Sequence, residues 1–186
     1  AYSLEVSPRK ISIVGKNEPG LFYGVQTLLQ LLPVAAVYGS EMSAGGDTGG
    51  EDGREIVGKK ILVPAVKVVD APAFEYRGMH LDVARHFMPV EFVKRYIDYL
   101  ALHKLNYFHW HLTDDQGWRI ESRKHPRLNE VGSYRDGTII GLYPGTGVDS
   151  TRYGGYYTVE QMLEVVEYAA KRYITIVPEI DLPGHC

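Results

Sequence analysis

The sequence predicts an α/β protein: a small α+β domain followed by parallel β/α units. Three observations lead there. From residue 74 onward, short strand-like runs alternate with longer stretches of helical periodicity. Charged and imidazole side chains gather just after those strand-like runs. Before Pro72 the pattern is different, reading as a hairpin, a helix and a further strand.

Residues 2 to 14 alternate loosely and are broken by Ser7, Pro8, Arg9 and Lys10, which predicts a β-hairpin. GLFYGVQTLLQLLP follows, with Leu21, Val25, Leu28, Leu29 and Leu32 at helical spacing and Pro33 as the stop. Residues 39 to 58 form a glycine- and acid-rich stretch without periodicity, read as a loop. KKILVPAVKVVDAP then gives a strand ending near Asp70, and Pro72 marks a boundary between a domain over 1–72 and a second over 73–186.

In the second part FEYRGMHLDV reads as a strand. PVEFVKRYIDYLALHK places Val90, Val93, Ile97, Leu100 and Ala101 on one helical face, with Pro89 suited to the first turn. LNYFHWHL is the next strand, and YTVEQMLEVVEYAAKRY is a helix whose Thr158 and Gln161 form a candidate capping box. YITIVPEI, short and rich in Ile174, Ile176 and Val177, is the third strand. Residues 119 to 157 form a long connection, with YPGTGVDSTRYGG as an irregular loop available to a rim. Helix-linked strands imply parallel neighbours joined by right-handed crossovers. Three strands fit either a small open α/β sheet or the first part of a (β/α)8 barrel, the chain ending after the third barrel strand.

Composition narrows the function classes. Hydrophobic residues make up 45%, enough for an ordinary core. The formal charge of −3 and the absence of a Lys/Arg block give no nucleic-acid footprint. No apolar run is long enough to span a bilayer, and no charged-then-apolar leader opens the chain. The single cysteine, Cys186, excludes an internal disulfide. The chain opens already in a strand-like pattern and closes directly after a strand, as expected of a segment of a larger protein.

In parallel α/β folds the functional face lies at the C-terminal ends of the strands. The three strand-like runs deliver Asp82, Arg85 and His86; His111, Thr113, Asp114, Asp115 and Gln116; and Glu179, Asp181 and His185 to that face. Arg85 either forms a local ion pair with Asp82 or grips vicinal hydroxyls or a carboxylate with its planar fork. Asp114 and Asp115 either brace a loop or join the chemistry. His109 and His111 share one side of their strand and read as satisfied core histidines. Trp118 reads as core rather than as a sugar platform. A metal held by His109, His111, Asp114 and His185 has a weak signature, and glycine-rich nucleotide motifs and the G-x-S-x-G nucleophile turn are absent. No cofactor and no metal are expected. Carboxylate–histidine chemistry on a polyhydroxylated ligand is the enzyme class that remains.

YRGMHLDVARHFMPVEFVKRYIDYLALHKLNYFHWHLTDDQGWRIE and VPEIDLPGH resemble glycoside hydrolase family 20, the β-N-acetylhexosaminidases, and GLFYGVQTLLQLLP is similar to the last helix of the family's preceding α+β domain. The resemblance implies a (β/α)8 barrel that removes terminal β-linked N-acetylglucosamine or N-acetylgalactosamine with retention. It implies substrate assistance, in which the 2-acetamido oxygen attacks the anomeric carbon, a recognised exception to the two-carboxylate scheme. Arg85 matches the arginine that grips the C3 and C4 hydroxyls of the terminal sugar. Asp114 matches an aspartate held near the acid residue, and His185 the histidine paired with it; Glu179 and Asp181 match supports beneath the rim. The family's Asp-Glu pair follows the fourth strand, so the resemblance implies that these 186 residues alone do not turn over. A non-catalytic carbohydrate-binding or structural module of the same fold is the alternative. By resemblance the partner is the terminal N-acetylhexosamine of an oligosaccharide or glycoconjugate, with the remainder of the polypeptide, and the compartment is secreted, periplasmic or surface-associated.

Overall fold

The computed structural model describes residues 1–33, 36, 56–57 and 60–185. The chain divides into two compact units, Ala1–Glu75 with Leu102–Lys104, and Tyr76–Ala101 with Leu105–Cys186.

The first unit is built on a three-stranded antiparallel sheet. Strands β1 (Tyr2–Ser7) and β2 (Lys10–Gly15) form the expected hairpin, and β1 also pairs with a later strand, Val66–Asp70. Helix α1 (Glu18–Gln30) lies between them in sequence. Asn17 caps it by accepting from the Gly20 N–H at 3.0 Å, and Pro19 fits the first turn, where no N–H is needed. The short strands β3 (Ile56–Val57) and β4 (Lys60–Ile61) pair antiparallel, and Val66–Asp70 is therefore β5. The rest of the loop read over 39–58 lies outside the described residues. Tyr2, Leu4 and Val6, alternate residues of β1, form the core with Tyr23 of α1.

The helix is where the spacing placed it, but its spaced residues divide: Leu28 packs against the core. Leu21 and Val25 stand 45% and 39% exposed, whereas Gly20, Tyr23, Gly24 and Gln26 are buried. The cause is helix–sheet distance: a Cβ at Gly24 would sit 2.4 Å from Ile13 Cγ2 and 3.1 Å from the Tyr2 ring. Glycine lets the backbone itself meet the sheet, with Phe22 and Leu28 packed against the same core.

The second unit has three parallel strands in the order β12-β7-β6, with β6 at Gly78–Asp82, β7 at Tyr107–His111 and β12 at Thr175–Glu179. Helix α2 (Val90–Leu102) joins β6 to β7 and buries Val93, Ile97, Leu100 and Ala101, the face that periodicity predicted. Burying Val93, Ile97 and Leu100 contributes roughly 1.5–3 kcal/mol each. After β7 come a tight hairpin of β8 (Thr113–Asp114) with β9 (Gly117–Trp118), a single turn α3 (Arg127–Glu130), and a second pair, β10 (Tyr134–Arg135) with β11 (Tyr153–Gly154). Helix α4 (Val159–Ala170) opens with the predicted box, Thr158 Oγ1 accepting from Gln161 N and Gln161 Oε1 from Thr158 N. Helices α2 and α4 are tied by the Lys94–Glu164 ion pair and by Asp98, which accepts from Tyr168 Oη at 2.9 Å and Arg172 Nε at 2.6 Å. Strands in sequential spatial order with both crossover helices in contact are the arrangement of one wall of a β/α barrel, and no reversal of strand order occurs among these three.

The residues between β7 and α4 act as a clamp on the loop after β6. Arg119 is fully buried, and its guanidinium donates to four carbonyls: Val83 O at 3.0 Å, Ala84 O at 2.6 Å, Ser133 O at 2.7 Å and Gly155 O at 2.9 Å. Arg135 Nη1 donates to Arg85 O at 2.8 Å, Tyr153 Oη to Phe87 O at 3.0 Å, and Tyr157 Oη to Met88 O. Gly117 exists to admit the guanidinium, because a Cβ there would lie 2.2 Å from Arg119 Cζ. Arg119→Met is expected to destabilise the fold by about 3 kcal/mol or more, since buried carbonyls left without donors cost about 1–3 kcal/mol each. Gly117→Ala is expected to shift the denaturation midpoint the same way, by about 1–3 kcal/mol. Urea unfolding curves test both; unchanged midpoints would mean that the guanidinium is not the clamp.

Candidate active site

Parallel register builds the site. Asp82, His111 and Glu179 are the final residues of β6, β7 and β12, and pairing places them in one row. One step back, His80 and His109 are cross-strand partners on the same face, opposite the buried Phe108 and Trp110. The row and the loops beyond it carry every charged residue that sequence reading assigned to the rim.

His111 lies at the centre, buried, between two carboxylates. Its Nε2 is 2.8 Å from Asp114 Oδ2. Its Nδ1 is 2.8 Å from Glu179 Oε2, an ion-pair distance, although the N–H is poorly aligned for a hydrogen bond. Glu179 Oε2 also meets His109 Nε2 at 2.6 Å. Asp114, itself buried, has every lone-pair direction engaged: Oδ2 accepts from Arg85 Nη2 at 2.6 Å as well as facing His111, and Oδ1 accepts from Asp115 N at 2.9 Å and meets His185 Nδ1 at 3.2 Å. His185 reaches this position from a left-handed backbone (φ 60°) just after Gly184.

Arg85 makes the local ion pair considered for it, and a second one with Asp114. Nη1 donates to Asp82 Oδ2 at 2.9 Å while Nη2 holds Asp114, and the side chain is still 42% exposed. Asp82 Oδ1 in turn accepts from the Ala84 and Arg85 N–H groups, fixing the turn that presents the fork. The guanidinium has five N–H donors, more than these two carboxylate contacts require. A cavity of about 600 Å³ opens beside it, lined among others by Arg85, His86, Gln116, Tyr134, Arg135 and Tyr143. A second, of about 530 Å³, lies along Asp114, Asp115, Trp118, His125 and Leu128. Both volumes fall in the range of small-molecule sites. Trp118 is partly buried, donates Nε1 to Ile120 O at 2.7 Å and shows one face to the second cavity. Asp181 donates its backbone N–H to buried Thr113 Oγ1 at 2.9 Å, which locks the start of the loop that carries His185.

The electrostatics follow from these contacts. Burial works against ionising Asp114, but the Asp115 N–H, His111, His185 and Arg85 outweigh it and hold the carboxyl below its ordinary value. His111 itself, with His109, holds Glu179 below its ordinary value. Burial pulls His111 down, yet Glu179 and Asp114 together overcome it and raise the imidazole.

Three groupings of ligand-type atoms lie within 4.8 Å of one another: His80, His109 and Glu179; His111, Glu179 and Asp181; and Asp114, Asp115 and His185. Two ligands sharing a tetrahedral zinc stand roughly 3.3 Å apart. The 2.6 Å and 2.8 Å imidazole–carboxylate contacts are tighter than that and are ion-pair distances, with a hydrogen bond between His111 Nε2 and Asp114.

Sequence reading missed Arg119 and Arg135, which position Arg85 through main-chain carbonyls. Gly117, two residues before Arg119, was the available signal: a glycine there leaves room for a buried guanidinium.

A barrel wall whose strand ends gather an arginine fork and an aspartate–histidine pair finds its counterpart among known families. Residues 74–186 match glycosyl hydrolase family 20, catalytic domain, and residues 1–71 match glycosyl hydrolase family 20, domain 2. The chain belongs to glycosyl hydrolase family 20. It is 47% identical over 184 residues to a beta-hexosaminidase of Porphyromonas gingivalis, covering 99% of this chain and 20% of that protein. It is 43% identical to a beta-hexosaminidase of Vibrio furnissii, covering 100% of this chain and 26% of the relative. Among solved structures, the exo beta-N-acetylglucosaminidase of Vibrio harveyi in complex with N-acetylglucosamine superposes with a TM-score of 0.80 at 43% identity, over 100% of this chain and 26% of its own. The chain thus spans 20% to 26% of the length of these relatives.

The network predicts a pH dependence of stability. A raised histidine contributes fully below its unfolded value of about 6.5, and that contribution is lost as pH rises through the raised folded value. Lowered carboxylates contribute above their unfolded values of about 4, and this is lost as pH falls through the folded values. The stability gap between the protein and its Glu179→Gln variant is therefore expected to be widest at about pH 4.5–6.5 and to shrink on both sides. Thermal melts from acid to alkaline pH measure it, and a gap constant across that range would contradict the network.

Proposed function

We propose that the chain is the N-terminal portion of a retaining exo-β-N-acetylhexosaminidase that hydrolyses terminal β-linked N-acetylglucosamine or N-acetylgalactosamine by substrate assistance. The observation that carries the reading is the paired geometry of Arg85 and Asp114: a half-exposed fork braced by two carboxylates and lining a cavity of about 600 Å³. Such a fork suits two vicinal hydroxyls, those at C3 and C4 of a terminal sugar. Asp114 and His185 are the supporting pair; by family resemblance they stand beside an acid glutamate and an acetamido-orienting aspartate that follow the fourth barrel strand. An aspartate held ionised and bonded to an imidazole is suited to steering a neighbouring acid's proton.

No helix among the described residues is long and apolar enough to cross a membrane. The glycan substrate class and the family resemblance support a secreted, periplasmic or surface-associated enzyme.

The test is an assay of the complete polypeptide on a chromogenic N-acetyl-β-D-glucosaminide, with product anomer followed by NMR. Turnover with release of the β-anomer is expected, and the 186-residue chain alone should show none. Arg85→Ala should lower kcat/KM on the order of a hundredfold, corresponding to a lost charged hydrogen bond of about 3 kcal/mol. Full activity in that variant would remove Arg85 from the site.

A further inference from the structure

His111 was read from sequence as a core histidine, but its surroundings are those of a functional brace. Both ring nitrogens stand 2.8 Å from carboxylate oxygens on opposite sides, Glu179 at the end of β12 and Asp114 in β8. A neutral ring would aim a lone pair at one of those oxygens, whichever tautomer formed. Carboxylates outnumber cations here: Asp82 and Asp114 flank Arg85 while Glu179 faces His111, so a positive charge on the ring is favoured by its surroundings. Nε2 also lies 3.2 Å from Arg85 Nη1, with Asp114 Oδ2 shared between the two cations. Two further groups face the ring: His80 of β6, its ring centroid 5.6 Å away, and Asp181, whose carboxylate closes a cluster with His111 and Glu179.

We infer that His111 is a positioning residue: as an imidazolium spanning Glu179 and Asp114, it fixes the carboxylate that orients both Arg85 and His185. Glu179 is the inner abutment and Asp114 the outer one. Asp114 presents one oxygen to Arg85 and the other to His185, so a rotation of its carboxylate would disturb the sugar-gripping fork and the proton-steering pair together. His111 touches no substrate in this arrangement; it acts through Asp114. The inference rests on the hexosaminidase reading above.

The experiment compares His111→Gln with His111→Asn in the complete polypeptide, measuring kcat, KM and the inhibition constant of N-acetylglucosamine from pH 5 to 9. A glutamine amide reaches the position of Nε2 and keeps a donor toward Asp114, whereas an asparagine amide reaches only that of Nδ1. His111→Gln is expected to retain a KM close to that of the unmodified protein. His111→Asn is expected to weaken N-acetylglucosamine binding by about tenfold to a hundredfold, as for a lost hydrogen bond to a charged group. In the unmodified protein, binding should weaken as pH rises through the raised His111 value, and in His111→Gln that dependence should vanish. Equal behaviour of the two variants, or an unaltered pH profile, would overturn the inference. If neither variant folds, Glu179→Gln serves instead: His111 loses its inner partner, so the loss of binding should move to lower pH, and an unmoved profile overturns the inference. An unmodified protein that neither cleaves the glycoside nor binds N-acetylglucosamine would overturn the functional reading itself, whereas an active protein indifferent to these changes overturns only the role of His111.

Discussion

A single buried guanidinium sets the terms for the second unit. Among the described residues Arg119 has no carboxylate partner; its charge is balanced by four carbonyl dipoles drawn from three separate segments. Burial lowers its pKa from arginine's ordinary value, yet arginine stays protonated in proteins, so the fold must supply acceptors or pay heavily. It supplies them by bringing Val83–Ala84, Ser133 and Gly155 to one point. Those carbonyls belong to the loop immediately before Arg85 and to the ends of the β10–β11 excursion. Arg85 thus owes its position to a second arginine, whose own guanidinium is engaged entirely by main-chain carbonyls.

Around Arg85 the same economy of dipoles continues with full charges. Carboxylates and imidazoles alternate from His109 through Glu179, His111 and Asp114 to His185, linking the barrel interior to the rim. Each carboxylate is held on more than one side, so none has a free direction in which to swing. Parallel pairing brings the three strand ends to one level, and the hairpin of β8 and β9 folds Asp114 back over them. Backbone geometry does the gathering, and side-chain electrostatics does the fixing.

How much of this was legible depended on whether the determinant was periodic. The buried face of α2 and the capping box of α4 are written at fixed spacings, and both could be read directly. The convergence of Asp82, His111 and Glu179 followed from locating strand ends. In helix α1 the spacing located the element, but the close approach to the sheet at Gly24 is defined by an absent side chain and has no periodic mark. The clamp was invisible, since a side chain donating to a distant carbonyl leaves no mark at the accepting residue. His111 was correctly placed on the inner side of its strand, but only the structure shows a carboxylate at each nitrogen.

The carbonyl clamp also determines which parts of the rim are free to diversify. Val83, Ala84, Arg85, Phe87 and Met88 accept bonds from Arg119, Arg135, Tyr153 and Tyr157, so the loop after β6 and the roots of the β7–α4 excursion behave as one mechanical part. Between those roots the chain closes on itself, with Ile139 bridged to Val148 and Ile140 N–H bonded to Gly147 O. Insertions and exchanges at that tip, which carries Tyr143 to the edge of the larger cavity, leave the anchored arginine undisturbed. The tip that carries Tyr143 is thereby separated from the parts that hold Arg85, and the two are able to evolve at different rates.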